Sequence, residues 1–280
     1  MTAGLGHDKR ISAIQCGLQR AAHGRIESFV VRLEERCRLL RELHVPGKPL
    51  VLPNVWDVPS ARAVVAAGFP VVATTSAGVA ETLGYDDHER APAAEMFAAA
   101  ARIARAVDVP VTADLEAGYG LAPSALVEAL MEAGVAGCNL EDTDHAATVL
   151  LDSTGQASRL ADVRAEAAAR AYELVINARI DVFLADRDRP QMELVEEALE
   201  RAHAYFEAGA DCVYPILLRD REATVRFVAA AGGPVNLLAL PEGPSVAELA
   251  EIGVARVSYG PLVFRRLLEQ LNAILADEFR

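Results

Sequence analysis

Asp114 and Glu116 stand two residues apart in VTADLEAGYG, and this spacing is where chemistry first shows in the sequence. On extended chain the two carboxylates leave the backbone on the same side. A third acid, Glu141, ends a separate apolar run in CNLED. Arg179 and Asp181 end another in INARID. Carboxylates that converge repel one another unless one is protonated or a cation joins them. Oxygen donors of this kind suit a hard dication that keeps much of its water, Mg²⁺ first, with Mn²⁺ as the alternative. The expected arrangement has Asp114 as the direct ligand, and Glu116 and Glu141 bonding through water. Arg179 can hold a carboxylate by two parallel hydrogen bonds, or it can serve as a structural partner of Asp181. In TTSAG, the Ser76 hydroxyl and the N–H groups of Ala77 and Gly78 can grip a substrate carboxylate before a polar loop. Asn54 in LPNVWD can contact substrate or serve the fold. His88 and His145 fall in loops and read as solvated residues.

For these groups to meet, the elements behind them must bring several chain segments to one end. From Pro49 onward one unit repeats: a short apolar run, a few polar or glycine residues, then an amphipathic stretch. That alternation signals a parallel sheet covered by helices. The runs are 50–53, 71–74, 111–114, 137–141, 174–178, 212–215, 235–238 and 256–258. The helical stretches that follow are 58–67, 93–107, 124–133, 160–172, 192–208, 221–231, 246–252 and 261–276. Gly68, Gly134, Gly209 and Gly253 each close a helix before the next strand. Eight such units predict an α/β fold of the (β/α)₈ TIM-barrel type over residues 47–280. Residues 1–46 form an N-terminal extension with an amphipathic helix over 26–43, and residues 1–24 are expected to be partly disordered. In such a barrel, function sits where the strands end, which is where the acids and Arg179 fall.

Composition narrows the classes. The 280 residues carry a net charge of −13 and only two lysines, Lys9 and Lys48, so no basic patch is available to bind nucleic acid. No run is long and apolar enough to span a bilayer, so no membrane partner is expected. The first twenty residues lack a signal-peptide core. Cys16, Cys37, Cys138 and Cys212 show no CxxC or metal-type spacing, and Cys138 and Cys212, inside predicted strands, read as small buried apolar residues. A reducing, cytoplasmic compartment follows as an expectation.

LPNVWD, TTSAGVAETLGYDD, VTADLEAGYG, NLEDTD and INARIDVFL, in this order, resemble the isocitrate lyase/phosphoenolpyruvate mutase superfamily from about Gly47 to Phe264. The resemblance implies that Asp114 is the direct metal ligand and that Glu116 and Glu141 are water-linked acids. It adds Asp87 near the metal, with Asp86 as a one-residue rival. Ser76, Ala77 and Gly78 would bind the substrate carboxylate, and Arg179 would contact the substrate. Members cleave or form C–C or P–C bonds beside a 2-oxo acid through a metal-stabilised enolate. The resemblance also implies a homotetramer in which the C-terminal helix reaches a neighbour. The apolar stripe from Leu262 to Leu275 allows this, as it allows packing on its own barrel.

Departures from the pattern narrow the chemistry. The segment Asp142–Arg159 stands where the lyases carry a KKCGH-like loop, yet it holds neither Cys nor Lys. The missing thiol argues against isocitrate or methylisocitrate cleavage. The missing Lys and Asn argue against P–C chemistry. This segment is the expected lid, and His145 or Asp144 is left as the proton source. The expected catalytic set is therefore Arg179, Glu141 and His145, acting on an oxaloacetate-like or 2-hydroxy dicarboxylate substrate. A phosphonomutase or phosphonopyruvate hydrolase is the alternative enzyme, and a non-catalytic 2-oxo acid binding protein is the alternative outside catalysis.

Overall fold

The computed structural model describes residues 32–278. The expectations for residues 1–24 and for the start of the first helix lie outside that range. Within it, residues 32–42 are helical (α1) and bury Leu33, Cys37 and Leu40 on one face, the spacing of a helical stripe. Leu40 reaches the backbone of Gly137. A Cβ at that glycine would lie 2.8 Å from Leu40 Cδ2 and 2.7 Å from the Val175 carbonyl oxygen, so only glycine admits this approach.

The strands are β1 (Leu50–Leu52), β2 (Asn54–Val55), β3 (Val72–Thr74), β4 (Val111–Asp114), β5 (Gly137–Glu141), β6 (Thr143–Asp144), β7 (Val149–Leu150), β8 (Val175–Ile180), β9 (Cys212–Pro215), β10 (Asn236–Leu238) and β11 (Arg256–Ser258). Parallel pairing runs β2-β3-β4-β5-β8-β9 and β1-β11-β10. A parallel bridge between Val213 and Val235 joins β9 to β10. β1 and β2 are one strand interrupted at Pro53, which has no N–H to give to the ladder. The ring therefore closes, and the fold is the expected α/β barrel of the TIM type. The β6–β7 hairpin is antiparallel and stands outside the ring.

Ten further helices follow α1: α2 (Val58–Ala66), α3 (Ser76–Leu83), α4 (Ala93–Ala106), α5 (Pro123–Ala133), α6 (Ser153–Ala169), α7 (Val182–Ala185), α8 (Gln191–Glu207), α9 (Arg221–Ala230), α10 (Val246–Ile252) and α11 (Leu262–Glu278). Asp57 caps α2 by accepting from the Ser60 N–H at 2.8 Å, and Gly134 and Gly253 end α5 and α10 in left-handed conformation. Cys37, Cys138 and Cys212 are buried free thiols. Burial pushes each up to about 12, which disfavours the reactive thiolate. No helix among the described residues is long and apolar enough to cross a membrane.

Three sequence expectations need correction. The TTSAG segment does not lead into a polar loop, because Ser76 begins the helix α3, which runs to Leu83. Gly78 disguises that helix in the sequence. Its missing side chain lets the helix sit against the barrel, where a Cβ would lie 2.9 Å from Thr75 Cγ2 and 3.2 Å from Trp56 Cβ. The segment Asp142–Arg159 is not one long loop. It forms the β6–β7 hairpin, and α6 then starts at Ser153 rather than near Leu160. The polar stretch STGQASR hid this start, which is set by the Asp152 side chain accepting from the Gly155 N–H at 3.1 Å. Finally, β8 continues to Ile180, so Arg179 lies within a strand rather than beyond one.

The C-terminal stripe divides. Phe264 is buried edge-on against Trp56, with ring centroids 5.0 Å apart. Leu267, Leu271, Ile274 and Leu275 remain 42–53% exposed, a run of apolar surface that its own barrel does not cover.

Candidate active site

Alternation along the barrel strands sends Asp114, Glu141, Arg179, Tyr214 and Ser258 into the C-terminal mouth. One layer below, at the same parity, stand Thr112, Asn139, Asn177, Cys212, Asn236 and Arg256. Barrel interiors are ordinarily filled by Val, Ile and Leu. The mouth encloses a cavity of about 320 Å³ whose walls include Ser76, Ala77, Asp87, Asp114, Glu116, Glu141 and Arg179.

Asp114 is held from two sides. Its Oδ2 accepts from the Ser76 N–H at 3.1 Å and from Ser76 Oγ at 2.9 Å, and its Oδ1 accepts from Asn139 Nδ2 at 3.2 Å. Glu116 is 2% exposed and sits at φ 51°, in the left-handed region. Its carboxylate accepts from the Glu89 N–H at 2.5 Å and from Tyr119 Oη at 3.0 Å. Burial, reinforced by the charges of Asp87 and Asp114, pushes Glu116 up to about 7 despite those two hydrogen bonds.

Glu141 behaves differently from the expectation that three acids must share one cation. Arg179 Nη1 pairs with one of its oxygens and His145 Nε2 with the other. Burial raises the Glu141 pKa, and Arg179 and His145 pull against that rise. The rest of the Arg179 fork is bidentate to Asp181, at 2.6 and 2.9 Å. Both sequence readings of Arg179 therefore hold at once, since it lines the cavity and is the ion-pair partner of Asp181. Burial disfavours the His145 imidazolium, but the hydrogen bond to Glu141 and nearby acids outweigh that and raise its pKa above the ordinary value. Among the described residues, no three Asp, Glu, His or Cys side chains come close enough to ligate one ion together. The repulsion that remains unanswered lies between Asp87, Asp114 and Glu116.

That corner fits a cation with one direct protein ligand and a water shell. Asp87 lines the cavity, and its buried Oδ1 has no hydrogen-bond partner among the described residues. Asp86 is exposed and does not line the cavity. Of the neighbouring pair, the structure thus brings Asp87 to the acids.

Other sequence-derived residues are placed as follows. Ser76 and Ala77 line the cavity, whereas Gly78 lies behind its wall against Trp56. Asn54 lines it too, but Asn54 Oδ1 accepts from the N–H groups of Tyr259 and Gly260 at 2.8 and 2.9 Å, and Nδ2 donates to the Thr74 carbonyl at 2.7 Å. Most of its hydrogen-bonding capacity thus joins β2 to the strands on either side. His145 stands behind Glu141 rather than on the cavity wall. Asp144 caps the hairpin turn, its Oδ1 accepting from the N–H groups of Ala146 and Ala147 at 2.9 Å, and it does not line the cavity. His88 is exposed, as expected, and it also lines the cavity, with its ring 5.3 Å from that of His145. Asn139, Tyr214, Arg187 and Arg265 also line it and were missed. The first two were legible from strand parity. The two arginines lie beyond the strands, where no local signal marks them.

The Glu116 shift has a measurable consequence. Its pKa is raised in the fold from 4.5 to about 7, so the stability it contributes is fully present below 4.5 and is lost as pH rises through about 7. Thermal denaturation without added metal should show that loss, and Glu116→Gln should flatten the curve. An identical pH profile in the variant would contradict the assignment.

A closed parallel barrel with an acid-lined cavity at the C-terminal ends of its strands is the architecture of a barrel enzyme. The chain belongs to the phosphoenolpyruvate phosphomutase family, whose model matches residues 40–278, within the isocitrate lyase/phosphoenolpyruvate mutase superfamily. It is 35% identical to "Uncharacterized protein Rv1998c" of Mycobacterium tuberculosis over 80% of this chain and 82% of that one. It is 31% identical to "Probable 2-methylisocitrate lyase 2" of Corynebacterium glutamicum over 89% and 83%. It is 30% identical to the oxaloacetate decarboxylase of Pseudomonas entomophila over 79% and 76%. A crystal structure of a phosphonomutase candidate from Burkholderia cenocepacia superposes with a TM-score of 0.83 at 41% identity, covering 87% of this chain and all of that one. Oxaloacetate acetylhydrolase with bound oxalate superposes at 0.76 with 26% identity, covering 88% of this chain and 89% of that one.

Proposed function

We propose that this chain is a Mg²⁺-dependent enzyme that cleaves a C–C bond beside a 2-oxo acid, acting on an oxaloacetate-like or 2-hydroxy dicarboxylate substrate. The observation that carries this reading is the charge layout of one small cavity. Asp87, Asp114 and Glu116 form an acidic corner, while Arg187 and Arg265 line the same cavity and have no ion-pair partner among the described residues. The volume, about 320 Å³, is at the small end for ligand sites. In a protein of net charge −13, two uncommitted arginines at such a site suit a substrate with a second carboxylate.

Asp114 would hold the dication directly, and Glu116 and Asp87 through its water. Bound there, the ion would polarise the 2-oxo group as a Lewis acid. The chain's own residues do the rest. Ala77 lines the cavity in the first turn of α3, where its N–H can orient a carboxylate, while the Ser76 hydroxyl, its one proton given to Asp114, holds that acid in place. Arg179 has two N–H groups beyond those given to Asp181 and Glu141, and these can fix the substrate. Glu141, joined to His145, is the group on the wall that can move a proton. The names of the oxaloacetate-acting relatives support this substrate class.

Turnover of oxaloacetate and alkylmalates should require Mg²⁺ and should stop on chelation. No turnover, together with no metal-dependent binding of any 2-oxo acid, would remove the reading. The likeness to the Burkholderia phosphonomutase candidate favours a second reading, C–P chemistry, and ³¹P NMR with phosphonopyruvate decides between them. Arg265→Ala should raise KM for a dicarboxylate by about 10- to 100-fold, the range for losing one charged contact, with a smaller change in kcat. An unchanged KM would take Arg265 out of the site.

The exposed apolar run on α11 supports a homo-oligomer, a tetramer by the superfamily resemblance. Light scattering should give a multiple of the chain mass, and Leu271→Asp should lower it. A monomer at micromolar concentration would refute this.

A further inference from the structure

The largest fully buried side chain among the described residues is a charged one, Arg256 on β11, at 1% exposure. Its only hydrogen bond runs from Nη2 to Asn139 Oδ1, at 3.2 Å, and Nε and Nη1 have no partner among the described residues. No carboxylate there lies within ion-pair distance of it. A guanidinium buried this way is costly, and an apolar residue of similar volume would ordinarily do better. Packing therefore does not account for Arg256.

The network around Asn139 does. Asn139 Oδ1 accepts from Arg256 and also from Asn177 Nδ2 at 2.8 Å. Both lone pairs of that oxygen are then engaged. The amide could otherwise sit in either of two flipped orientations of similar shape. A guanidinium has only donors and the Asp114 carboxylate accepts, so the two together select one of them, the one with Oδ1 towards Arg256. Asn139 Nδ2 must then face the other way, and it donates to Asp114 Oδ1 at 3.2 Å.

We propose that Arg256 is a positioning residue for the site. By fixing the Asn139 amide it keeps a donor on Asp114, and it sets a positive charge in the layer beneath the acidic mouth. Arg256 does not itself line the cavity and acts through Asn139, which does. The inference rests on the reading of Asp114 as the central acid of the site.

The test compares the native chain with Arg256→Met, Arg256→Lys and Asn139→Leu by crystallography, thermal denaturation and kinetics on oxaloacetate. In Arg256→Met the Asn139 amide should turn or lose its bond to Asp114, and kcat should fall about 30- to 100-fold, the scale of a misplaced catalytic group. The melting temperature should stay level or rise. A purely structural role predicts the opposite, a lower melting temperature with activity falling in step. Arg256→Lys keeps a donor and a charge and should recover most of the loss. Arg256→Met with Asn139→Leu should be no worse than either alone, because both act on one contact. If Arg256→Met keeps the Asn139–Asp114 bond in its crystal structure, the inference is overturned, whatever reaction the enzyme proves to catalyse. If the native chain turns over no 2-oxo acid, the functional reading fails, and the crystallographic comparison still decides this one.

Discussion

Asp114→Asn should lower kcat/KM by about 10³-fold or more, the scale expected when an ion's direct ligand or the main electrostatic group of a site is removed. The argument is local. Asp114 is the only acid of the corner that combines a β-strand position with donors on both oxygens, Ser76 on one and Asn139 on the other. Those donors fix its direction. Asparagine keeps the shape but offers one acceptor and no charge. Folding should survive, since the side chain is only half-buried and the loss of one or two hydrogen bonds costs about 1–3 kcal/mol. A second readout follows from Glu116, whose pKa is raised in part by the charge of Asp114 and should slide down in the variant. Steady-state kinetics with a Mg²⁺ titration measure the first effect, and NMR titration of Glu116 the second. Activity within tenfold of the native enzyme would show that the acidic corner is not where the reaction is driven.

Arg179 should be the most damaging position for stability and activity together. Its fork holds Asp181 at 2.6 and 2.9 Å while Nη1 pairs with Glu141. All three side chains are at most 10% exposed. Arg179→Met would leave two buried carboxylates without their cation, and breaking a buried pair in this way typically costs about 3–5 kcal/mol. The damage would spread, because Asp181 also accepts from Thr143 Oγ1 and its N–H donates to Asp142, which holds Arg201 and Tyr205. Arg179→Lys separates the two roles. Lysine restores a charge but not the planar fork, so stability should largely return while activity stays down by about 10²-fold through lost orientation. Urea denaturation and kcat measured on the same samples read both. Equal losses of stability in the Met and Lys variants would mean that geometry, not charge, holds this corner.

Most of the barrel is legible in the amino-acid sequence. The apolar runs and helix-ending glycines placed all eight ring strands to within about two residues, the usual precision of such boundaries. What escaped were short elements and those whose apolar signature is broken, the four-residue α7 among them. α3 carries a glycine at its third position, the first turns of α6 are polar, and the β6–β7 hairpin is two residues a side. Each is held by capping or by contacts distant in sequence, which periodicity does not report.

The candidate site divides along the same line. Strand alternation is a property of the local chain, so sequence alone determined that Asp114, Glu141 and Arg179 end neighbouring strands and point into one mouth. It determined equally that Ser76 and Ala77 lie near them. Which groups then meet was decided only by tertiary structure. Register and closure gave Glu141 to Arg179 and His145, so that charge is largely neutralised by the protein itself. They chose Asp87 over Asp86, brought Arg187 and Arg265 from loop and helix to the cavity, and set Arg256 against Asn139, 117 residues away in the chain. The physical reason is that a carboxylate's partner is fixed by distance across the barrel, whereas the sequence records only position along the strand.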